Sequence, residues 1–470
     1  MRELAGNLGG VALFVLPGLA LTCLFPSLRS MPLLRRLGYG YLLGVATIAG
    51  SLYALSALLQ VPLRRPAIFG VAALVTILGL AGWRRTLPKA PRLSLGARTA
   101  MAALSLAGVI VTVGVFADAI SEPLKDWDGR MHWAAQARYI REEGSVLPLA
   151  VVREQWFINH PRYPVLLPVA QAAVLEVTGA REDEQFFRGL YAAFFPALLL
   201  VLYDGARRWA GWLPADIVVT TVAGLAFFSF FPEGGAISSY SDLPLACFYG
   251  AALVLLLRGR KRFSDGIAAG ILLGAAVLTK NEGALLAVFA LLTAVVASIR
   301  HFRSRAAHLA AASAILFLSL TLFLVWRSQI PNRQDEGYEV IAASGHLFPD
   351  VITRIPEFGP EILRRTLLTW DHWTGFWWLA PLVLLAGAGG LRGRRKALSW
   401  PLLLGFAAPL AIAWGAYSIQ EHSSEVAKVT WERFLMQGSL PFFLLFSLAL
   451  RSSLQAAFRW RVYRKHPERG

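Results

Sequence analysis

Charge is scarce in this sequence. Only 16% of its 470 residues are Asp, Glu, Lys or Arg, where a soluble domain of this size carries about a quarter. There are two cysteines, Cys23 and Cys247, both inside apolar stretches; this excludes a disulfide framework and a cysteine-based metal centre. The alternation of polar and apolar residues that builds a membrane β-barrel is missing. So is the internal repeat on which many transporters are built, and so is any linker long enough to separate soluble domains. Most apolar stretches also lack the mid-span charges that a solute carrier needs.

What is abundant is apolar sequence. Hydrophobic residues make up 56% of the chain, and its mean hydropathy is +0.53. Apolar stretches recur at 4–25, 37–60, 67–83, 99–118, 189–205, 215–232, 242–257, 266–279, 284–299, 306–326, 373–391, 398–418 and 433–450. Crossing the hydrocarbon core takes about 20 residues, and in lipid every backbone polar group needs a partner within its own segment. The expected fold is therefore all-α: a polytopic membrane protein of about 13 transmembrane helices, with short interfacial helices in its first large external loop. Residues 164–178 are apolar too, but the stretch is short and carries Pro164, Pro168 and Glu176. Counting it as a full span would put Arg207 and Arg208 on the wrong side, so it reads as a helix that enters without crossing. The first stretch has Arg29, Arg35 and Arg36 after it and no small-residue cleavage site, so it reads as a span rather than a signal peptide.

The net charge of +17 would suit nucleic acid, but its distribution argues for a membrane instead. The loops 26–36, 84–98, 206–214, 258–262, 300–305 and 392–396, with the tail 451–470, hold 27 Lys/Arg and a single acid, Glu468. The alternate loops 61–66, 119–162, 179–188, 232–242, 327–372 and 419–433 hold 17 Lys/Arg and 21 acids. By the positive-inside rule the first set is cytoplasmic and the second external, with the N-terminus outside. The partners this predicts are the bilayer and its headgroups, and no nucleic acid.

The external side also carries the polar chemistry. After the span 99–118 come Glu122, Lys125, Asp126, Trp127, Asp128 and Arg130, then a helix-like stretch with Trp133 and Tyr139 suited to headgroup depth. Next is Asn159-His160-Pro161-Arg162-Tyr163-Pro164. Taken alone, two acids in a loop form a solvated turn. Three further features recur on the same side. Ser241-Asp242 opens a span, where an Asp also serves as a helix cap. Leu278-Thr279-Lys280-Asn281-Glu282-Gly283 is a polar break between two short helices. Thr430-Trp431-Glu432-Arg433-Phe434-Leu435 leads into the last span, which contains Pro441, and an Arg there also suits snorkelling to headgroups.

Taken in order, these motifs resemble the GT-C superfamily of membrane glycosyltransferases, in particular the protein O-mannosyltransferase-like and aminoarabinose-transferase-like enzymes. The family's first-loop Asp is matched by Asp128, in Asp128-Gly129-Arg130-Met131-His132-Trp133-Ala134, with Gly144 after the interfacial helix. Its Pro-rich segment is matched by His160 to Pro164, and its span-opening Arg by Arg188. Asp242 matches its second external Asp, Leu278 to Gly283 its polar break, and Arg433-Phe434-Leu435 its late Arg-aromatic-Leu segment. Two departures stand out: the Glu usual after the first Asp is Gly129, so Asp126 shares that role, and the large soluble external domain is missing. The likeness covers residues 99–300 and the last span. It divides the chain into additional helices at 1–98, a catalytic core at 99–300, and C-terminal helices at 301–470 with external loop 327–372 and a basic tail.

The resemblance implies a polyprenyl-phosphate sugar donor, and a glycan, lipid or protein acceptor. It implies Asp128 as general base with Asp126 as alternative, and a phosphate clamp of Lys280 and Arg433 with Arg162 or Arg188. Asp242, Glu282 and His160 would orient the acceptor or a divalent metal, although no metal set is legible because His160 and His422 lack ligand partners at a recognisable spacing. The expected setting is a multi-pass protein of a bacterial inner (plasma) membrane, with its site facing the periplasm or cell exterior. Two alternatives stay open. One is a lipid-linked glycan transporter or flippase. The other is an oligosaccharide ligase using loop 327–372, with Arg327, Arg333, Arg354, Arg364, Arg365, His346 and His372.

Overall fold

A computed structural model describes residues 2–83, 95–152, 160–180, 187–258, 262–299, 302–331, 347–369, 373, 375–386, 394–418 and 423–465. Helix is the sole regular element among them. Among the described residues seven helices are long and apolar enough to cross a membrane: Glu3–Leu24, Leu33–Leu59, Arg188–Ala210, Asn281–Ser298, Arg303–Arg327, Ala397–Ser418 and Ser423–Ala457. Shorter apolar helices, among them Arg65–Ala81, Asp242–Leu257 and Phe263–Val277, pack between them. The protein is an integral, multi-pass membrane protein. Much of its outward surface is bare Leu, Val, Ile and Phe, such as Leu292, Val296, Phe317 and Leu324, which is the natural face toward lipid.

With lipid tails as apolar as the helices themselves, association depends on close backbone approach at small residues. Helix Arg2–Leu21 shows this against Leu33–Leu59. A Cβ on Gly18 would stand 1.8 Å from the Gly40 carbonyl oxygen, and one on Gly44 would stand 1.9 Å from that of Phe14. A side chain at either position would drive the two helices apart.

The segment read as part-inserted is helix Leu166–Thr178. Its 13 residues span about 20 Å at 1.5 Å per residue, short of the ~30 Å hydrocarbon core. Residues 166–175 are buried on all sides, and the Leu166 N–H donates to the Leu278 carbonyl at 2.9 Å. The half-length helix thus meets the polar break head-on. The loop after residue 121 is also helical: a π-wound turn at Gly129–Ala134 runs directly into Ala135–Glu143, followed by Leu149–Val152.

Candidate active site

Asp242 is the first residue of helix Asp242–Leu257, where the free N–H groups and the helix dipole favour a carboxylate. It is completely buried. Both its oxygens are engaged: Oδ1 accepts from Lys280 Nζ at 2.9 Å and from Gln437 Nε2 at 2.9 Å, and Oδ2 accepts from Arg433 Nε at 2.8 Å. Arg433 and Gln437 stand four residues apart on helix Ser423–Lys465, so one helix face reaches Asp242 twice.

Lys280 arrives from a different element. Helix Phe263–Val277 stops, and Lys280, in extended conformation, caps the start of Asn281–Ser298. The turn is so tight that a Cβ on Gly283 would lie 1.9 Å from the Ala276 carbonyl oxygen. Without a side chain there the break can fold back on itself and aim Lys280 inward. The Lys280 ammonium also lies 3.2 Å from Glu282 Oε1.

Arg433 bridges two of the acids that the sequence singles out, Asp242 and Asp128. Its second group, Nη1, donates to Asp128 Oδ2 at 3.0 Å. The guanidinium sits 4.9 Å over the Tyr240 ring, and the Asp128 backbone N–H points at the Tyr240 hydroxyl at 3.4 Å. Burial of Tyr240, with Asp128 beside it, raises its hydroxyl pKa despite the nearby Arg433 charge. The two carboxylates differ in one decisive respect. The Asp128 side chain is 37% exposed and that of Asp242 0%. Only Asp128 is open to a substrate.

These groups border a cavity of about 670 Å³, within the range of small-molecule sites. Asp128, Lys280, Glu282, Arg433 and His160 all line it. Asp126, Arg162, Arg188 and Asp242 stand outside its lining. Asp126 is half-buried beside Arg188 and Glu233; burial raises its pKa to about 6, Arg188 opposing and Glu233 adding to the shift. Arg188 is spent on backbone, donating to the carbonyls of Glu122 and Ile237, and so pins the first loop to the segment before Asp242. Arg162 is buried.

Several lining residues are absent from the sequence-based set. Arg327 closes helix Phe302–Arg327 and donates to Asn281 Oδ1 at 2.9 Å. The sequence places it with the late-loop arginines; its position at a span end, like that of Arg433, was the available signal. His132, Trp133 and Tyr163 form an aromatic wall, and Tyr417 and Thr430 share a hydrogen bond of 2.9 Å. Of the other late-loop residues, Arg364 and Arg365 are bound to Glu361 on helix Leu347–Leu367, while Arg333, His346 and His372 lie outside the described residues, as does His422. Among the described residues no group of three or more His, Cys, Asp or Glu side chains is arranged to hold a metal ion.

Residues 159–326 match the family model described as dolichyl-phosphate-mannose-protein mannosyltransferase. The match is consistent with the likeness to GT-C membrane glycosyltransferases, and it includes His160, Asp242, Lys280 and Glu282 but not Asp128 or Arg433. No curated protein and no solved structure matches the chain.

Proposed function

Starting from that kinship, we propose that the protein moves a sugar from a polyprenyl-phosphate donor to an acceptor hydroxyl, at the non-cytoplasmic face of the membrane. One observation carries the reading: an accessible carboxylate, Asp128, and two cations braced by one buried acid, Lys280 and Arg433 on Asp242, meet in a single cavity. A polyprenyl chain stays in the bilayer with its phosphate at headgroup depth, so such a cavity is useful only near a membrane surface.

In the reaction the acceptor oxygen forms a bond to the sugar's anomeric carbon. The bond from that carbon to the phosphate oxygen breaks, and polyprenyl phosphate leaves with the electron pair. Asp128 takes the acceptor's hydroxyl proton as the bond forms. Lys280 and Arg433 meet the charge that grows on the phosphate. They have donors to spare: an ammonium has three N–H groups and a guanidinium five, of which Asp242, Glu282 and Asp128 occupy two and two. Asp242 is the brace that fixes the spacing of the two cations. An acceptor or metal role for it would require it to give up partners that occupy both its oxygens.

The cavity also bears on the ligase alternative. Of the late-loop residues, Arg327 lines it, whereas Arg364 and Arg365 are committed to Glu361 on their own helix, Leu347–Leu367. The test is Asp128→Asn in purified protein supplied with polyprenyl-phosphate sugar. Transfer is expected to fall by about 10²–10⁴-fold, the range for a positioned general base, while donor affinity holds because Lys280 and Arg433 stay braced on Asp242. Asp126→Asn should be milder. Full activity in both variants and in the double variant would remove this loop from the mechanism.

A further inference from the structure

The cavity wall formed by His132, Trp133, His160 and Tyr163 has no part in the proton transfer or the phosphate clamp described above. Its four rings come from two separate segments. His132 and Trp133 belong to the π-wound turn Gly129–Ala134, which Asp128 immediately precedes. π-winding bonds residue i to i+5, so it brings residues 128 and 133 into register with 132 between them. The base and the backing of the wall therefore sit on one face of one turn. Such turns recur at functional sites because they re-aim side chains in this way.

His160 and Tyr163 belong to the turn that precedes helix Leu166–Thr178. The rings interlock edge to face: His132–Tyr163 at 5.4 Å between centroids, His160–Tyr163 at 5.1 Å, His132–His160 at 6.0 Å and Trp133–Tyr163 at 6.2 Å. His132 and Trp133 are buried, whereas His160 is exposed and Tyr163 partly so. The layer is thus a supported surface with two accessible rings. His160 adopts a φ of +53°, a left-handed conformation that is costly for a residue with a side chain. Strain of this kind persists where its surroundings enforce it, and it concentrates at ligand-binding positions.

We infer that this wall is the platform for the donor's sugar ring, with His160 and Tyr163 as specificity-determining residues. This rests on the glycosyl-transfer reading of the cavity. A pyranose has a rim of hydroxyls and faces made of C–H groups. Those faces suit the electron-rich face of an aromatic ring, while the rim needs polar neighbours. The cavity supplies both: the ring wall, and Glu282 with one carboxylate oxygen on Lys280 and the other, Oε2, without a hydrogen-bond partner. With the phosphate held by Lys280 and Arg433 and the acceptor by Asp128, the ring wall, which follows Asp128 on the same turn, is the lining placed beside the reacting groups to take the sugar. The polyprenyl chain is a poor occupant, since it would desolvate the exposed His160 imidazole and return no hydrogen bond.

The experiment measures binding of two probes to the purified full-length chain in nanodiscs: polyprenyl-phosphate-mannose, and sugar-free polyprenyl phosphate. His160→Gly removes the ring and takes the positive φ without strain, so its thermal midpoint should equal or exceed that of the wild type. Its affinity for the mannose-bearing lipid should drop by about three- to tenfold, the scale of one aromatic contact, with affinity for sugar-free polyprenyl phosphate unchanged. His160→Phe keeps a ring face and should retain most of the preference. Equal weakening toward both probes would assign His160 to the phosphate. A Phe variant as weak as the Gly variant would mean that the imidazole nitrogens matter rather than the face. No change in either variant, or a wild type without preference for the mannose-bearing lipid, would remove the platform. Each of these results leaves the Asp128 assignment standing; a wild type that binds neither probe would sink the glycosyl-transfer reading itself.

Discussion

Asp126 and Asp128 are two residues apart, yet they occupy different surroundings. Asp128 opens onto the cavity and touches Arg433. Asp126 is half-buried behind it, and burial lifts its pKa to about 6. A carboxyl that titrates higher in the folded than in the unfolded chain holds its proton longer when folded. Its contribution to stability is therefore fully present below about pH 4 and is lost as the pH rises through about 6. Thermal unfolding across that window should show this slope, and Asp126→Asn should flatten it; parallel profiles for the two proteins would contradict the assignment. The sequence offered both acids for the same role. What it could not supply was direction: adjacent motif residues separate only when the chain's winding turns one toward the cavity and the other toward Arg188.

Among the elements, the short loop 61–66 has the clearest unexpected duty. Its arginines, Arg64 and Arg65, stand in a loop that the expected topology would leave poor in cations, and the structure gives them a different task. Arg64 donates from Nη1 and Nη2 to the carbonyls of Arg141 and Glu142, both at 2.9 Å. These are among the last carbonyls of helix Ala135–Glu143, which lack partners within the helix. Arg65 donates to the Glu176 carbonyl at 2.9 Å, near the end of helix Leu166–Thr178. The loop thus anchors both helices that flank the aromatic wall, and a cation is well placed at each C-terminal dipole. Arg64→Ala should cost about 0.3–1 kcal/mol of local stability. Faster amide exchange over residues 135–143 and a slower transfer step at unchanged donor affinity are the expected readouts; unchanged exchange in that helix would show that Arg64 is dispensable there. Helix Leu166–Thr178 was legible as an apolar run, and Ala135–Glu143 as a helix-like stretch after the first-loop acids. The caps were not, because their partners lie 77 to 111 residues away.

Across the whole molecule, two buried ionic clusters mark opposite ends of one helix. Asp242 opens helix Asp242–Leu257, and Arg258 follows its last residue, about 24 Å away at 1.5 Å per residue. Arg258 pairs with buried Asp204, which also lies 3.2 Å from Arg35, and Arg258 donates to the Tyr39 hydroxyl at 2.9 Å. This second cluster joins helix Leu33–Leu59 to the central helices at the end where Arg35, Arg208 and Arg258 converge on Asp204. The expected topology follows: 84–98, 258–262 and 392–396 cytoplasmic, 119–162 and 327–372 external. Single cysteines introduced by Ala90→Cys and Ala150→Cys would decide it with a membrane-impermeant thiol reagent on intact cells, since native Cys23 and Cys247 are buried. Labelling at position 150 and protection at position 90 is the expected result, and the reverse pattern would overturn the topology.

By itself the sequence determined that this is a helical membrane protein, because hydropathy acts on whole segments and survives without knowledge of neighbours. It also brought Asp128, Lys280, Glu282, Arg433 and His160 forward as polar exceptions at helix ends, where the physics of lipid makes a charge conspicuous. The sorting of those candidates came only with the tertiary structure. It buried Asp242 as a brace with no oxygen free, turned Arg188 onto two backbone carbonyls, drew Arg327 into the cavity, and built one aromatic wall from two segments. Each of these depends on which helix faces which, and that is settled by close packing between residues distant in the chain, at places such as the contact of Gly283 with Ala276 and of Leu166 with Leu278, where local pattern carries no record of the partner.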